Sequence, residues 1–595
     1  MIECTPKALA GGSDYIAIDT ETYYDSECSI KELGLHQYVK HPSFEVLLIS
    51  AATDTEVICE RPDRFPWDLL SGRKIIAHNA AFDRAVLRTI PEAPVTSVYD
   101  WMDTAGMCAY HQHPRSLKEA AAVVLGMSLT KDVRDHMKGK TLGHLASREL
   151  LDVIEYCKRD ALAALKLFQA LKSTTPDDEL YLMSLAIDQG DFGVQIDRKR
   201  LIQGLNTLDA ACLNAARQIP WSGKSKPNST KAIKEHFEGL DVVAPSSTAK
   251  NAPQCLEWIR NHPEHAGIIQ DLQKYRTLSG LQKDLNKMKG RLRSDGVLPF
   301  ELKYFGSEIT GRFAGSGGVN MLNHRKDSAE GVNVRHLIIP REGYQLAVVD
   351  LANIEVRTGA YLIGDEPLLD MIRDGVDVYE AHARATMGYS DRRPLREADP
   401  EKRNLAKTRV LGLSFGQGPK KLSQNMDIGL GEAQNIVRSF RRTSPLIVNR
   451  WKKLEQGLFS ATVGSNRTYS NKLPSNRVLR YFDVARAPGE RGRPEIKASM
   501  TRGAGPRRVP FHGGKLYENE CQAMARDIFM HGLLAVSRAD IRVLFTVHDE
   551  LVAEVPTTNA EEYLREIVRL MTLAPEWAIS LPLSAEGQIC NYYQK

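Results

Sequence analysis

The sequence predicts a mixed α/β protein of several domains, and three observations carry that expectation. At 595 residues the chain exceeds what one hydrophobic core serves. Short apolar runs that end in an acid, YIAID at 15–19 and LAVVD at 346–350, read as buried strands that deliver carboxylates to the mouth of a cleft. Between and after them lie long stretches with helical periodicity, 150–171, 198–217 and 268–292.

The totals exclude several classes. A net charge of +5 is a mild excess, so any affinity for a polyanion must come from local clustering of Lys and Arg. Nine scattered cysteines without a CxxC argue against a disulfide framework or a zinc ribbon and point to a reducing cytoplasm. No basic-then-apolar leader and no run of ~18 apolar residues occurs, so the expectation is a soluble protein that neither enters nor crosses a membrane.

Taken in order, the first strand runs into DTET, which sets Asp19 and Glu21 on one face of an extended segment, where two acids can grip one ion. Apolar strands at 45–51 and 74–77 follow, and the second leads into His78, Asn79 and, four residues on, Asp83. The helix 150–171 carries Tyr156 and Asp160 one turn apart on the same side. Each acid alone is equally a cap or a surface group. STTPDD at 173–178 breaks the pattern and marks a boundary, giving a first domain at 1–174.

Residues 175–300 read as a helical unit whose two long helices, 198–217 and 268–292, are rich in Lys and Arg, with Ser/Pro/Asn-rich loops at 224–230 and 243–252. Residues 377–526 read as a mostly helical block. Within it, 486–508 holds seven Lys or Arg against two Glu with little apolar content, which predicts a mobile, solvated loop.

Three further segments carry chemistry. In QLAVVDLANIEVR (345–357) a strand ends at Asp350 and a helix over 352–362 sets Glu355 and Arg357 within about a turn of it. In RNLAKTRVLGLSFG (403–416) Arg403, Lys407, Leu411 and Phe415 fall four apart, along one face of a helix that no proline interrupts, pairing a basic turn with an apolar one. In VLFTVHDELVAEV (543–555) two strand-like runs flank His548, Asp549 and Glu550, which predicts a hairpin exposing two adjacent carboxylates at its tip. Oxygen ligands of this kind suit magnesium.

In this order the three segments resemble motifs A, B and C of family A DNA polymerases. Thr310, Gly311, Arg312, Asn320 and Asn323 resemble the TGR…N..N segment ahead of motif A; GGKLYENECQAMARD at 513–527 and PEWAISLPLSAEG from 575 look like the bacteriophage branch. Asp19/Glu21, Asn79/Asp83 and Tyr156/Asp160 resemble the three motifs of DnaQ-like 3′-5′ exonucleases. The resemblance covers the chain from about residue 14 onward. It implies a ribonuclease-H-like exonuclease domain (1–174), then a right-hand polymerase with thumb (175–300), palm (301–376 and 527–595) and fingers (377–526).

The implied activity is template-directed addition of dNTPs to a primer 3′-OH with 3′-5′ proofreading, in phage genome replication. The resemblance gives Asp350, Asp549 and the carbonyl of Leu351 as metal ligands of one centre, with Glu550 and Lys407 also catalytic. Asp19, Glu21, Asp83 and Asp160 ligate at the other, with Tyr156 orienting water. It implies two Mg2+ at each centre, with Mn2+ able to replace them. Arg403, Lys407, Leu411, Phe415 and Glu355 fall at dNTP-contacting positions, Glu355 against C2′ of the sugar. Arg312, Asn320, Gln522 and His548 fall at primer-template positions. Leu411 and Phe415 replace the aromatic and the Tyr usual there, and Tyr379 stands where many members have His. The expected partners are primer-template DNA and dNTPs, with a monomeric chain in the host cytoplasm and no replisome partner indicated by sequence. The alternative is a 3′-5′ exonuclease, or a nucleic-acid-binding scaffold, whose polymerase half is inactive.

Overall fold

The structure is a computed structural model that describes residues 14–129, 132–323, 328–489, 494–503 and 508–594. The N-terminal part is built on a five-stranded sheet of β1 (Tyr15–Thr22), β2 (Val46–Ala52), β3 (Val57–Glu60), β4 (Lys74–Ala77) and β5 (Trp101–Asp103), in the order β3-β2-β1-β4-β5. β1 pairs antiparallel with β2 and parallel with β4. A turn at Asn79, in the left-handed region at φ 77°, starts helix α1 (Ala80–Leu87) directly off β4. Helix α2 (Ser147–Leu171) lies across the sheet and buries Cys157, Asp160, Ala161, Ala163 and Ala164; small side chains let it approach the strands closely.

Helix α3 (Asp177–Phe192) leads out of this unit to the antiparallel pair α4 (Arg198–Arg217) and α5 (Ala266–Arg291). Two helices, Thr230–Glu238 and Pro253–Asn261, stand between them where the sequence had suggested only loops at their edges. The C-terminal part holds a second, four-stranded antiparallel sheet. Its strands are β6 (Tyr344–Leu351), followed by helix α6 (Ile354–Ile363), then later β11 (Arg542–Val547), β12 (Glu550–Pro556) and β13 (Ala585–Cys590), in the order β11-β12-β6-β13. β6 is central and its Leu346, Ala347, Val348 and Val349 are buried to 1% exposure or less, which accounts for the uninterrupted apolar run.

The block between these strands departs from the sequence reading in two places. Helix α7 (Pro400–Leu411) stops at Leu411; Gly412 and Gly416 bracket a 3-10 turn of Leu413–Phe415, and Gly416 sits at φ 82°. Phe415 therefore does not continue the Arg403–Lys407–Leu411 face. Two glycines four apart supply a helix exit that the absence of proline had masked.

The second departure is the basic segment 486–508. The block carries a four-stranded meander of β7 (Tyr469–Lys472), β8 (Val478–Pro488), β9 (Pro494–Ser499) and β10 (Val509–Phe511), so the described part of 486–508 is largely strand rather than loop. In β9, Ile496 and Ala498 alternate with Glu495 and Lys497, a period-2 pattern hidden by the flanking charges. The meander is tied to the N-terminal unit through Gln112. Its side chain donates to the carbonyls of Arg480 (2.9 Å) and Met500 (3.0 Å) and accepts from the Arg480 amide at 2.8 Å.

Helix α8 (Gly513–Arg538) then crosses the molecule, and β11 (Arg542–Val547), β12 (Glu550–Pro556) and β13 (Ala585–Cys590) complete the second sheet. A buried ion pair links the two halves: Arg526, 1% exposed, donates to both oxygens of Glu179 on α3 at 2.6 and 2.8 Å. Among the described residues no helix is long and apolar enough to cross a membrane, and all eight described cysteines are free.

Candidate active sites

The second sheet brings together acids from motif-like segments about 200 residues apart. Asp350 is the penultimate residue of β6, and Asp549 sits in the tight turn between β11 and β12, where His548 takes φ 56°. The amide of Leu351 donates to the carbonyl of Asp549 at 3.0 Å, which locks the turn against the strand end. The expected hairpin is present, with a correction at its tip. Glu550 is the first residue of β12, 6% exposed, opposite Asp350 in register, and it accepts a 2.5 Å hydrogen bond from the Tyr593 hydroxyl. Only Asp549 of the two carboxylates stands in the turn, because strand register takes the next residue into the sheet.

Arg312 reaches this pair from a distant segment. One guanidinium nitrogen donates to Glu355 at 2.6 Å and lies 3.4 Å from Asp549. Glu355 thus pairs with Arg312 and not with Arg357, whose guanidinium caps the carbonyls of Ala352 (2.8 Å) and Pro582 (2.7 Å). Burial pushes the Asp549 carboxyl up to about 6, Glu355 and Asp350 add to the shift, and Arg312 opposes it. The donor set is all oxygen, crowded and only partly neutralised, which fits a divalent cation.

Around it, Arg403 lies 3.6 Å from Asp377 and over the Tyr379 ring, and the Tyr379 hydroxyl donates to Asn353 at 3.0 Å. The turn after Asp350 is thereby tied to the basic end of α7. Lys407 and Leu411 are exposed on that helix, while Phe415 and Glu355 line one cavity of about 270 Å³. Gln522 on α8 donates to Glu518 at 3.4 Å, and Asn320 accepts from the Leu322 amide at 3.1 Å. The side chain of Asn323 lies outside the described residues.

The first sheet forms the second site. A cleft of about 460 Å³ is lined by Asp19 and Glu21 of β1, Asp83 of α1, and Tyr156 and Asp160 of α2, with Lys31, Lys118 and Arg134 also in its wall. Asp83 accepts from the Thr20 amide (3.1 Å) and hydroxyl (2.8 Å). Burial, and then the neighbouring Glu21, Asp83 and Asp160, hold Asp19 well above the usual carboxylate range. Burial and Asp160 push Glu21 up to about 8 against the opposing charge of Arg134, and burial takes Asp83 to about 7. The Tyr156 phenol is pushed up by burial and by its bond to Asp160. Four acids lining one cleft offer a donor set whose chemistry fits a divalent cation.

Two contributors escaped the sequence reading. Arg134 comes from a short helix with no motif around it. Cys157 follows Tyr156, and its sulfur lies 3.6 Å from the Asp19 carboxylate, with the Glu21 carboxylate in the same cluster.

Residues 200–480 match the model of DNA polymerase family A, and residues 6–176 match that of the 3′-5′ exonuclease. A DNA polymerase of Bacillus phage SP02 is 25% identical over 98% of this chain and 99% of its own length. Residues 200–480 thus form a DNA polymerase family A domain. This polymerase carries a 3′-5′ exonuclease domain at its N-terminal end. It is also 28% identical to the thermostable DNA polymerase I of Thermus aquaticus over 59% of this chain, and 27% identical to the DNA polymerase I of Pseudomonas aeruginosa over 61%. It spans about two fifths of those two longer bacterial chains, 39% and 37%. The fold matches the POL domain of Pol1 from M. smegmatis, solved with DNA primer-template and dNTP, at a TM-score of 0.70. That match covers 97% of this chain and 95% of the other at 17% identity.

Proposed function

We propose that this family A polymerase extends a primer 3′-OH with dNTPs at the Asp350–Asp549 centre and trims 3′ ends at the Asp19/Glu21/Asp83/Asp160 centre, in phage genome replication. The observation that supports it is the presence, in one chain, of two separate carboxylate clusters on two separate sheets. Residues 301–376 and 527–595 act as the palm, 377–526 as fingers and 175–300 as a thumb whose basic helices follow phosphates without reading sequence. The chain works as a monomer in the host cytoplasm.

Asp350, Asp549 and the Leu351 carbonyl hold the cations of the synthetic centre, and Asp19, Glu21, Asp83 and Asp160 those of the trimming centre. Divalent cations, Mg2+ or Mn2+, two at each centre, supply Lewis acidity toward the attacking and leaving oxygens. Arg403 and Lys407 neutralise the triphosphate from the α7 wall, and Lys407 protonates the departing pyrophosphate. Glu355 stands against C2′ of the incoming sugar, where a 2′-hydroxyl collides with it. Arg312 exchanges its bonds to Glu355 and Asp549 for minor-groove acceptors at the primer terminus, which Watson-Crick pairs present alike; Gln522, Asn320 and His548 flank the same duplex. Glu550, held by Tyr593 opposite Asp350, keeps the floor of the centre rigid. Leu411 and Phe415 receive the base and sugar through apolar contact alone. At the other centre Tyr156, fixed by Asp160, orients the water.

Primer extension with four dNTPs and digestion of a single-stranded oligonucleotide, both in Mg2+, test the assignment. Asp350→Ala abolishes extension and spares digestion; Asp19→Ala does the reverse. Loss of both activities in either variant contradicts two independent centres.

A further inference from the structure

The exonuclease centre contains a donor of a kind its reaction does not require. Asp19, Ser50 and Cys59 stand directly opposite one another across β1, β2 and β3, so their side chains share one face of the sheet. Helix α2 packs on that face, and its position is fixed by the Ser50 hydroxyl, which donates to the Cys157 carbonyl at 2.8 Å. Cys157, fully buried, therefore projects its sulfur onto the row, 3.6 Å from Asp19 Oδ2 and 3.7 Å from the Asp19 carbonyl. Carboxylate oxygens of Asp19 and Glu21 and the sulfur all lie within 4.8 Å of one another.

Two ligands bound about 2.0 and 2.3 Å from one zinc ion at the tetrahedral angle stand roughly 3.5 Å apart, so the sulfur and Asp19 are already at chelating separation. Magnesium does not take sulfur, whereas zinc and cadmium do, and zinc binds a given site more tightly than the earlier divalent ions.

We propose that Cys157 is a cation-selecting residue of the trimming centre: with Mg2+ its S–H steadies the Asp19 carboxylate, and with Zn2+ or Cd2+ its sulfur joins Asp19 and Glu21 as a ligand. Binding then releases the thiol proton to solvent and forms one metal–sulfur bond. Because the sulfur lies in the wall behind Asp19, a cation held by it is drawn away from the cleft in which a scissile phosphate must sit. Zinc thus switches trimming off and leaves extension intact. The inference rests on the proposed reading of this cluster as the exonuclease metal site.

The test uses the full chain, Cys157→Ser and Cys157→Ala. Cadmium titration is followed by thiolate-to-metal charge-transfer absorption, and zinc inhibition of oligonucleotide digestion and of primer extension is measured in Mg2+. The expected result is one equivalent of cadmium–thiolate absorption in the wild type that is missing from both variants. Digestion should be at least about tenfold less sensitive to zinc in the variants, the size of effect that metal-site neighbours exert, with extension equally unaffected in all three. Absence of the band in the wild type overturns the proposal even if neither variant folds, and so does equal zinc sensitivity in wild type and variants. Asp19→Ala separates the two levels. If it still digests, the reading of the centre is wrong; if it does not digest while the cysteine variants match wild type, only the role of Cys157 is wrong.

Discussion

Arg312→Ala should tighten cation binding at the synthetic centre while impairing synthesis, two effects of opposite sign from one side chain. In the structure the Arg312 guanidinium is 2.6 Å from Glu355 and 3.4 Å from Asp549, with the three side chains 17–23% exposed. It acts as a resident cation beside Asp549, one of the carboxylates proposed to hold metal. A hydrogen bond between charged groups contributes about 1.5–3 kcal/mol. The 3.4 Å contact belongs at the low end, so relieving the competition is about 1.4 kcal/mol, or about tenfold in cation affinity. Losing Arg312 also removes an influence that lowers the Asp549 pKa, which stands at about 6, so the gain is read at pH 8, where the carboxylate is ionised. The assay is a Mn2+ titration, with free ion followed by electron paramagnetic resonance, in an Asp19→Ala/Asp160→Ala background without DNA. Primer extension is measured in parallel. Unchanged or weaker Mn2+ binding in Arg312→Ala would show that the arginine supports the carboxylates rather than standing in for a cation, and would refute the reasoning.

Three further outcomes follow from the same geometry. Glu21 and Asp83 have pKa values raised to about 8 and about 7 from ordinary values of 4.5 and 3.8, so the folded state holds protons that the unfolded chain has released. Stability in EDTA is therefore highest below about pH 4 to 5 as far as these groups go and is lost as pH rises toward 8. Melting curves at pH 5.5 and 8 should show Mg2+ stabilising more at the higher pH. Glu179→Gln leaves the buried Arg526 with only a 3.4 Å contact to Asp527, a carboxylate that Arg477 shares, and should cost about 3 kcal/mol in urea unfolding, much of it recovered by adding Arg526→Met. Gln112→Ala removes three side-chain hydrogen bonds to the β-meander, about 2–4 kcal/mol at the going rate for such bonds, and should speed tryptic cleavage within 486–508.

The strand-borne acids were legible in the sequence because strand pattern is local: an apolar run followed by a carboxylate says what the strand presents, as at Asp19 and Asp350, although β1 runs on three residues past Asp19 while β6 stops one residue after Asp350. The tip of the second hairpin was half legible, since the order of residues does not say which of Asp549 and Glu550 the register takes into the sheet. The meander at 469–511 was hidden because charge dominates its composition while its alternation runs over only a few residues at a time. The partners of the acids were not legible at all. Arg312 meets Asp549 across 237 positions, and Cys157 meets Asp19 through a row of side chains on three strands.

What the two centres share explains why they are built alike on different sheets. Each takes one acid from a strand of its sheet, Asp19 on β1 and Asp350 near the end of β6, and the next from an element that leaves a strand through a residue at positive φ. That residue is Asn79 before Asp83 at one centre and His548 before Asp549 at the other, with Asn353 making the same kind of exit after Asp350. The left-handed region reverses the chain within one residue, and Asn is among the side chains that tolerate it best, so the second acid arrives beside the first without a long loop. Burial first, and repulsion from neighbouring acids after it, raise the pKa values of Asp19, Glu21 and Asp549, and both are what a cation relieves: a site that costs stability when empty binds metal in proportion to what the metal relieves. The same logic accounts for Arg312. At the synthetic centre an arginine is in direct contact with the carboxylates, and its acid Asp549 is raised less than Asp19 or Glu21. On the proposed reading, the synthetic centre keeps its charge partly neutralised until a primer terminus draws Arg312 away, whereas at the trimming centre Arg134 stands in the cleft wall and opposes the raised pKa of Glu21.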